Sequence, residues 1–401
     1  MHLSQRIQQI KPSATLSINA KAAALKAQGQ EVISLAAGEP DFQPPEHVRQ
    51  AIKDSVDQGY VRYTPVPGLP ELRQAIADSF SRQYGVDIAP EMTVATNGGK
   101  QGLYNLFQCL LDPGDEVLIP APYWVSYPDM VALADGSPVI VPSTPESGFR
   151  ITADDVHAYV SDKTRILVLN TPSNPTGSHY SQPELDRLIS WALEQGIFVI
   201  SDEIYDQLVY PPAEPSTAGP WLSRHPDSIA ICNGLSKSYA MTGWRMGYVL
   251  THKDLIAKLS TLQGQSTSNV CVLVQKAAVA ALRGPTDFLD HHREVFQNRR
   301  DLALRHISSW PGVDCPKPDG AFYLFPRVDR LYTDQIQDST DLCTYILDRA
   351  QVALVPGAAF GDDRCLRISY ALDDQTLLQA LDRMQTALSA LTGAEGTRET
   401  E

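Results

Sequence analysis

The stretch Arg165-Ile-Leu-Val-Leu169, followed at once by Asn170-Thr171-Pro-Ser-Asn174-Pro-Thr-Gly177, sets the reading of this 401-residue chain. An apolar run without polar alternation belongs to a strand covered on both faces, and the Pro- and Gly-rich turn behind it ends the strand. The same design recurs at 116–119, 197–200 and 228–231, each run followed within a few residues by turn-forming or polar groups. Longer amphipathic segments separate the runs, and the alternation fills roughly 48–282. That pattern predicts an α/β domain on a mostly parallel sheet, with ligands received beyond the carboxyl ends of its strands.

One amphipathic segment, 100–111, places Leu103, Leu106, Phe107, Leu110 and Leu111 on one helical face and stops at Asp112-Pro113-Gly114. Asn97-Gly98-Gly99 before it is a candidate anion cradle, because a helix start presents unpaired amides and the positive end of the helix dipole. After Arg283-Gly284-Pro285 a charged, helix-rich stretch leads to turns at Pro311-Gly312, Pro316 and Pro318-Asp319-Gly320, which suggests a second, smaller α+β domain. The end, 393–401, reads as a solvated, disordered tail.

Composition narrows the function classes. With 33 basic against 47 acidic residues and a net charge of −14, neither nucleic acid nor an anionic membrane is expected as a partner, so a bound anion must meet individually placed cations. Six scattered cysteines without a CxxC pair fit reduced thiols in a cytoplasmic protein. The first fifteen residues lack an apolar core of a signal peptide, and no run approaches the ~18 apolar residues of a membrane span. The nine histidines include His291-His292 but no HExxH, so no catalytic metal is expected. Neither a GxSxG elbow nor a GxGxxG fingerprint occurs.

The strongest chemical signal is Asn233-Gly-Leu-Ser-Lys237-Ser-Tyr-Ala-Met-Thr-Gly-Trp-Arg245-Met-Gly247. Lys237 falls just past an apolar run among small residues, where burial lowers an amine's pKa and makes it a nucleophile. Arg245 is a permanent cation with a fork that grips phosphate. A lone lysine here would be a surface residue; the whole string is not explained that way.

The string resembles SK-x4-TGWR-x-G of the class I aminotransferases of pyridoxal-phosphate (PLP) fold type I, and the resemblance covers nearly the whole chain. It is closest to the aspartate aminotransferases of the one-beta subgroup, some of which also use prephenate. The resemblance implies a large domain with a mostly parallel seven-stranded sheet flanked by helices, plus a smaller discontinuous α+β domain. It divides the chain into 46–285 for the large PLP-binding domain and 1–45 with 286–392 for the small one.

The same resemblance implies the site. Lys237 covalently carries pyridoxal 5'-phosphate and moves the reacting proton. Asp202 pairs with the pyridine nitrogen, Tyr205 and Asn174 with the phenolic oxygen, and Trp124 stacks on the ring. Taken alone, Asp202 reads as a helix N-cap and Trp124 as a core residue. The amides of Gly98, Gly99 and Lys100, together with Arg245, meet the phosphate, and Tyr63 reaches the phosphate of a neighbouring subunit, which makes the functional unit a homodimer. For substrate, Arg367 grips the α-carboxylate with Gly38, Asn174 and Trp124 around it. Better-known aspartate aminotransferases place a partner arginine near the stretch 265–269, but no arginine occurs there. Lys11, Thr15 and Lys100 match the subgroup's own grip on the distal carboxylate.

The expected function is transamination between aspartate or glutamate and a 2-oxo acid such as oxaloacetate or 2-oxoglutarate, with prephenate as a further substrate. A carbon–sulfur lyase on the same scaffold is a rival, because cofactor residues do not decide which Cα bond breaks. A PLP-binding regulator is another, but it would need a basic or DNA-binding module.

Overall fold

A computed structural model describes residues 1–10 and 12–395; Lys11 and residues 396–401 lie outside it. In chain order the strands are β1 Ile33–Ser34, β2 Thr93–Asn97, β3 Glu116–Pro120, β4 Ser137–Val141, β5 Thr164–Asn170, β6 Phe198–Asp202, β7 Ile229–Gly234, β8 Met246–Leu250, β9 Tyr323–Leu324, β10 Val352–Ala353, β11 Val355–Pro356 and β12 Leu366–Ser369. Seven of them form one sheet in the order β2-β8-β7-β6-β5-β3-β4. Only β8 runs against its neighbours; every other adjacent pair is parallel.

The apolar runs form the centre of this sheet because both faces are buried. In β3, Val117 and Ile119 point into one core and Leu118 into the other; in β5, Ile166 and Val168 oppose Leu167 and Leu169. One face is covered by Pro70–Tyr84, Gln182–Glu194 and Val272–Arg283, the other by Gly99–Leu110, Tyr127–Leu133 and Lys253–Gly264. Each buried leucine or isoleucine contributes ~1.5–3 kcal/mol, which keeps the strand ends in fixed register.

A second core gathers the rest. β1 pairs in parallel with β10, joining the N-terminal segment to the C-terminal part of the chain. β11, β12 and β9 form an antiparallel sheet against the helices Asp287–Ile307, Ser339–Ala350 and Asp374–Glu395. Tyr205, Leu208 and Tyr210, from the turn after β6, are buried in this second core. The carboxyl edge of the large sheet is therefore tied directly to it. Of the tail expected over 393–401, residues 393–395 instead continue the last helix, Asp374–Glu395, and the rest lie outside the described residues. No helix among the described residues is long and apolar enough to cross a membrane.

Candidate active site

Parallel strands present their carboxyl ends at one edge, and β8, being reversed, begins there. Gly98 after β2, Trp124 after β3, Asn174 after β5, Asp202 at the end of β6, Lys237 after β7 and Arg245 before β8 thus converge. Gly98 has φ +80° and caps the helix Gly99–Leu110. Gly247 stands opposite Thr96 in the β2–β8 pair. A methyl on Gly247 would collide with the backbone of Gly98 and Gly99, and one on Gly98 would collide with the Arg245 guanidinium. The absence of side chains at both glycines is what lets the arginine and the helix start share one pocket wall. Arg245 itself adopts φ +60° and donates from Nη1 to the Thr242 carbonyl oxygen at 2.8 Å.

Asp202 is buried. Its Oδ2 accepts from the Tyr127 hydroxyl at 2.6 Å and its Oδ1 from the Ile204 amide at 3.3 Å. Burial outweighs those donors and pushes its pKa up to about 6. The chain after it makes a turn, not a helix, so Asp202 is no N-cap. Lys237 Nζ donates to the Gly38 carbonyl oxygen at 2.6 Å and lies 5.9 Å from the ring centres of Tyr205 and Phe322. Burial pulls its pKa down to about 8; Glu39 opposes this, while Arg367 and Arg245 reinforce it.

Arg367, on β12, is 2% exposed and held between the rings of Tyr323 (4.6 Å) and Phe360 (5.0 Å). It donates from Nη1 to Asn174 Oδ1 at 2.9 Å and from Nη2 to the Ala36 carbonyl oxygen at 2.7 Å, while its buried Nε has no partner among the described residues. Lys100 Nζ lies over the Trp124 ring at 4.9 Å, and burial together with the Arg245 charge lowers its pKa.

These groups enclose a cavity of about 530 Å³, large enough for a cofactor-sized ligand. Of the sequence-derived candidates, Thr15, Gly38, Gly99, Lys100, Trp124, Asn174, Asp202, Tyr205, Lys237, Arg245 and Arg367 line it. Gly98 stands directly behind, against Arg245. Tyr63 does not line the cavity of its own chain and is 91% exposed. Lys11 lies outside the described residues.

The charge pattern is unusual. Lys237, Arg245 and Arg367 form no ion pair with any described residue, and among the described residues the buried Asp202 has no cation within ion-pair distance, Lys237 acting on it only from further away. Elsewhere the buried Arg299 pairs with Asp41 and Asp374. Arg367 and Asp202 are buried, Lys237 is half-buried and Arg245 is exposed at the cavity wall. Unpaired buried charge is costly, so a pocket with Arg367 and Asp202 left this way is complementary to a ligand that brings an anionic group to the arginine and a cationic one to Asp202.

Comparison with known proteins gives that pocket a family. Residues 30–384 match the family Aminotransferase class I and II. This chain belongs to the class I and II aminotransferases. An aspartate aminotransferase of Streptomyces avermitilis is 43% identical over 393 residues, covering 96% of each chain. An aspartate/prephenate aminotransferase of Cereibacter sphaeroides is 42% identical over 97% of this chain and 99% of its own. Among solved structures, aspartate aminotransferase from Rhizobium meliloti matches with a TM-score of 0.92 at 40% identity, over 97% of this chain and 99% of that one. Aspartate aminotransferase from Thermus thermophilus with maleate matches at 0.92 and 39%, over 96% and 100%. The fold is that of PLP fold type I, as the motif string implied.

Three polar residues of this aminotransferase were not foreseen. Tyr127 holds Asp202 and packs edge-on to Trp124, with ring centres 5.4 Å apart. Its position three residues after Trp124 in the same turn was the available signal. Asn170 ends β5; its Nδ2 donates to the Asp202 carbonyl oxygen at 2.9 Å and its Oδ1 accepts from the Asn174 amide at 2.9 Å. A polar residue closing an apolar strand could have marked it. Tyr323, on the two-residue strand β9, had no local signal.

Proposed function

We propose that this aminotransferase moves an amino group between aspartate or glutamate and a 2-oxo acid such as oxaloacetate or 2-oxoglutarate, and that prephenate is a further acceptor. We infer that it does so with pyridoxal 5'-phosphate as cofactor and as a homodimer. The observation that carries the reading is the charge pattern of the cavity: Lys237, Arg245 and Arg367 make no close ion pair with a described carboxylate, and the buried Asp202 meets Lys237 only at longer range.

The residues fit the cofactor on their own chemistry. The helix start at Gly98, Gly99 and Lys100, with Arg245 beside it, suits a phosphate. Asp202, raised to about 6 when it lacks a cationic partner, suits a protonated ring nitrogen, which would return it to the ionised state. Lys237, lowered to about 8, suits covalent attachment. When bound, pyridoxal 5'-phosphate supplies an electron sink for the substrate's Cα.

The chain's own work is then positional. Arg367, braced by Asn174 and the Ala36 carbonyl, offers its remaining donors to the α-carboxylate. Tyr205 and Asn174 hold the ring oxygen, Trp124 covers the ring, and Tyr127 keeps Asp202 aligned. Lys237 Nζ would take the proton from the substrate's Cα and deliver it to the cofactor's C4' carbon, acting as general base and then general acid. Thr15, Lys100 and Lys11 hold the distal carboxylate. An ammonium is a point charge without a fork, so a lysine-based grip tolerates dicarboxylates of different shape, which favours prephenate beside aspartate. Tyr63, exposed here, reaches the phosphate of the partner's site. Relatives named for aspartate and for aspartate/prephenate support the same substrate class.

The test compares kcat/KM for oxaloacetate, 2-oxoglutarate, prephenate and phenylpyruvate in the wild type, Lys11→Ala and Lys100→Ala. The dicarboxylates and prephenate should exceed phenylpyruvate, and each lysine variant should lose about tenfold on those three, the worth of one charge-assisted contact. Unchanged rates in both variants refute the distal grip. Release of ammonia instead of amino transfer would favour the lyase.

A further inference from the structure

Tyr323 touches both halves of the site. Its hydroxyl lies 2.9 Å from the Tyr205 hydroxyl, and the Arg367 guanidinium lies over its ring at 4.6 Å from the centre. It is 1% exposed and lines the cavity beside both residues. A methyl on Gly38 would come within 2.6 Å of the Tyr323 hydroxyl, so the Gly38 backbone lies close against that oxygen. The pairing of β9 with β12, Tyr323 opposite Ser369, sets it next to Arg367, whereas Tyr205 comes from the turn after β6.

A phenol has one proton to donate and two lone pairs. Only one proton lies between the two oxygens of this pair. If Tyr205 supplied it, nothing would be left for a ligand. If Tyr323 supplies it, the Tyr205 proton stays free, and the hydrogen bond it receives makes Tyr205 a stronger donor. The cation over the Tyr323 ring draws electron density from that phenol and favours the second arrangement. Burial raises the pKa of both phenols and Arg367 offsets it at both, but the contact with Tyr323 raises Tyr205 further, well above the ordinary tyrosine range, while the contact with Tyr205 lowers Tyr323.

We propose that Tyr323 is a positioning residue: its hydroxyl donates to the Tyr205 hydroxyl, reserves the Tyr205 proton for the ring oxygen of bound pyridoxal 5'-phosphate, and ties that donor to the Arg367 carboxylate grip. The proposal rests on the cofactor reading given above.

The experiment titrates the visible absorbance of PLP-loaded protein against pH in the wild type, Tyr323→Phe, Tyr205→Phe and the double variant, with thermal unfolding measured alongside. A weaker Tyr205 donor leaves the ring oxygen more basic, so the midpoint rises: by roughly half a pH unit in Tyr323→Phe and by about a unit or more in Tyr205→Phe, the scale of one buried hydrogen bond. The double variant should match Tyr205→Phe, because Tyr323 acts only through Tyr205. A Tyr323→Phe midpoint equal to wild type overturns the proposal, whether or not unfolding shifts. So does a Tyr323→Phe shift that persists in full without the Tyr205 hydroxyl. A wild-type chain that takes up no pyridoxal 5'-phosphate, or a titration indifferent to Tyr205→Phe, sinks the cofactor reading itself.

Discussion

Replacing Gly247 with alanine puts a single methyl where the chain has no room. The added carbon would overlap the backbone of Gly98 and Gly99, the atoms that open the helix Gly99–Leu110. Backbone cannot rotate aside as a flexible side chain does, so either β8 or the helix start must move. Forcing a methyl into such a place costs ~1–3 kcal/mol. Since the displaced amides and Arg245 are the proposed phosphate cradle, that cost should fall on anion binding: roughly 5- to 140-fold in Kd, at 1.4 kcal/mol per factor of ten.

The assay is an absorbance titration of ligand-free protein with pyridoxal 5'-phosphate and, separately, with pyridoxal, which lacks the phosphate. Gly247→Ala should weaken the first and leave the second within about twofold. Gly243→Ala is the control from the same motif, because a methyl there meets nothing within 4 Å. It should bind both compounds as the wild type does. Wild-type affinity of Gly247→Ala for pyridoxal 5'-phosphate would refute the cradle, and equal losses for both compounds would refute its assignment to phosphate.

Asp202→Asn should have opposite effects on stability and on catalysis. Asp202 titrates near 6 in the fold against an ordinary 3.8, so between those values the folded chain holds a proton that the unfolded chain has lost. Stability of the ligand-free protein therefore falls as pH rises through that window, and the cost persists above it. The asparagine variant should be about 1–2 kcal/mol more stable than wild type at pH 7.5 and show no such gain at pH 4, by denaturant unfolding. Its kcat should fall by ~10²-fold or more, as when a preorganised polar group is removed from a site; a less stable variant at pH 7.5 would contradict the assignment. Arg367→Lys loses the fork that serves Asn174, the Ala36 carbonyl and a carboxylate together. Its kcat/KM should drop ~10- to 100-fold for every oxo acid alike, phenylpyruvate included, whereas a drop confined to dicarboxylates would place Arg367 on the distal group.

Much of this was legible in the chain. The run 165–169 became β5, and 116–119, 197–200 and 228–231 became the centres or starts of β3, β6 and β7, because strands buried on both faces must be apolar throughout. The helix Gly99–Leu110 was equally plain from its apolar face. β2, with its threonines and asparagine, and β8, which opens Met-Gly, lack the continuous apolar run that marks a strand buried on both faces. Residues that act at strand ends were readable because the turn chemistry sits beside them in the chain. Tyr323 was not, since its role depends on contacts with Tyr205 and Arg367, 118 and 44 positions away, which only the packing of the second core against the sheet edge creates.

Lys237 is the residue proposed to bind the cofactor covalently. Borohydride reduction of PLP-loaded protein, followed by proteolysis and mass spectrometry, reads this directly. The label should appear on Lys237, within the peptide spanning 233–247, and at about one per chain. A label on Lys100 or another lysine, or an unlabelled Lys237 in protein that still transaminates, would contradict the account.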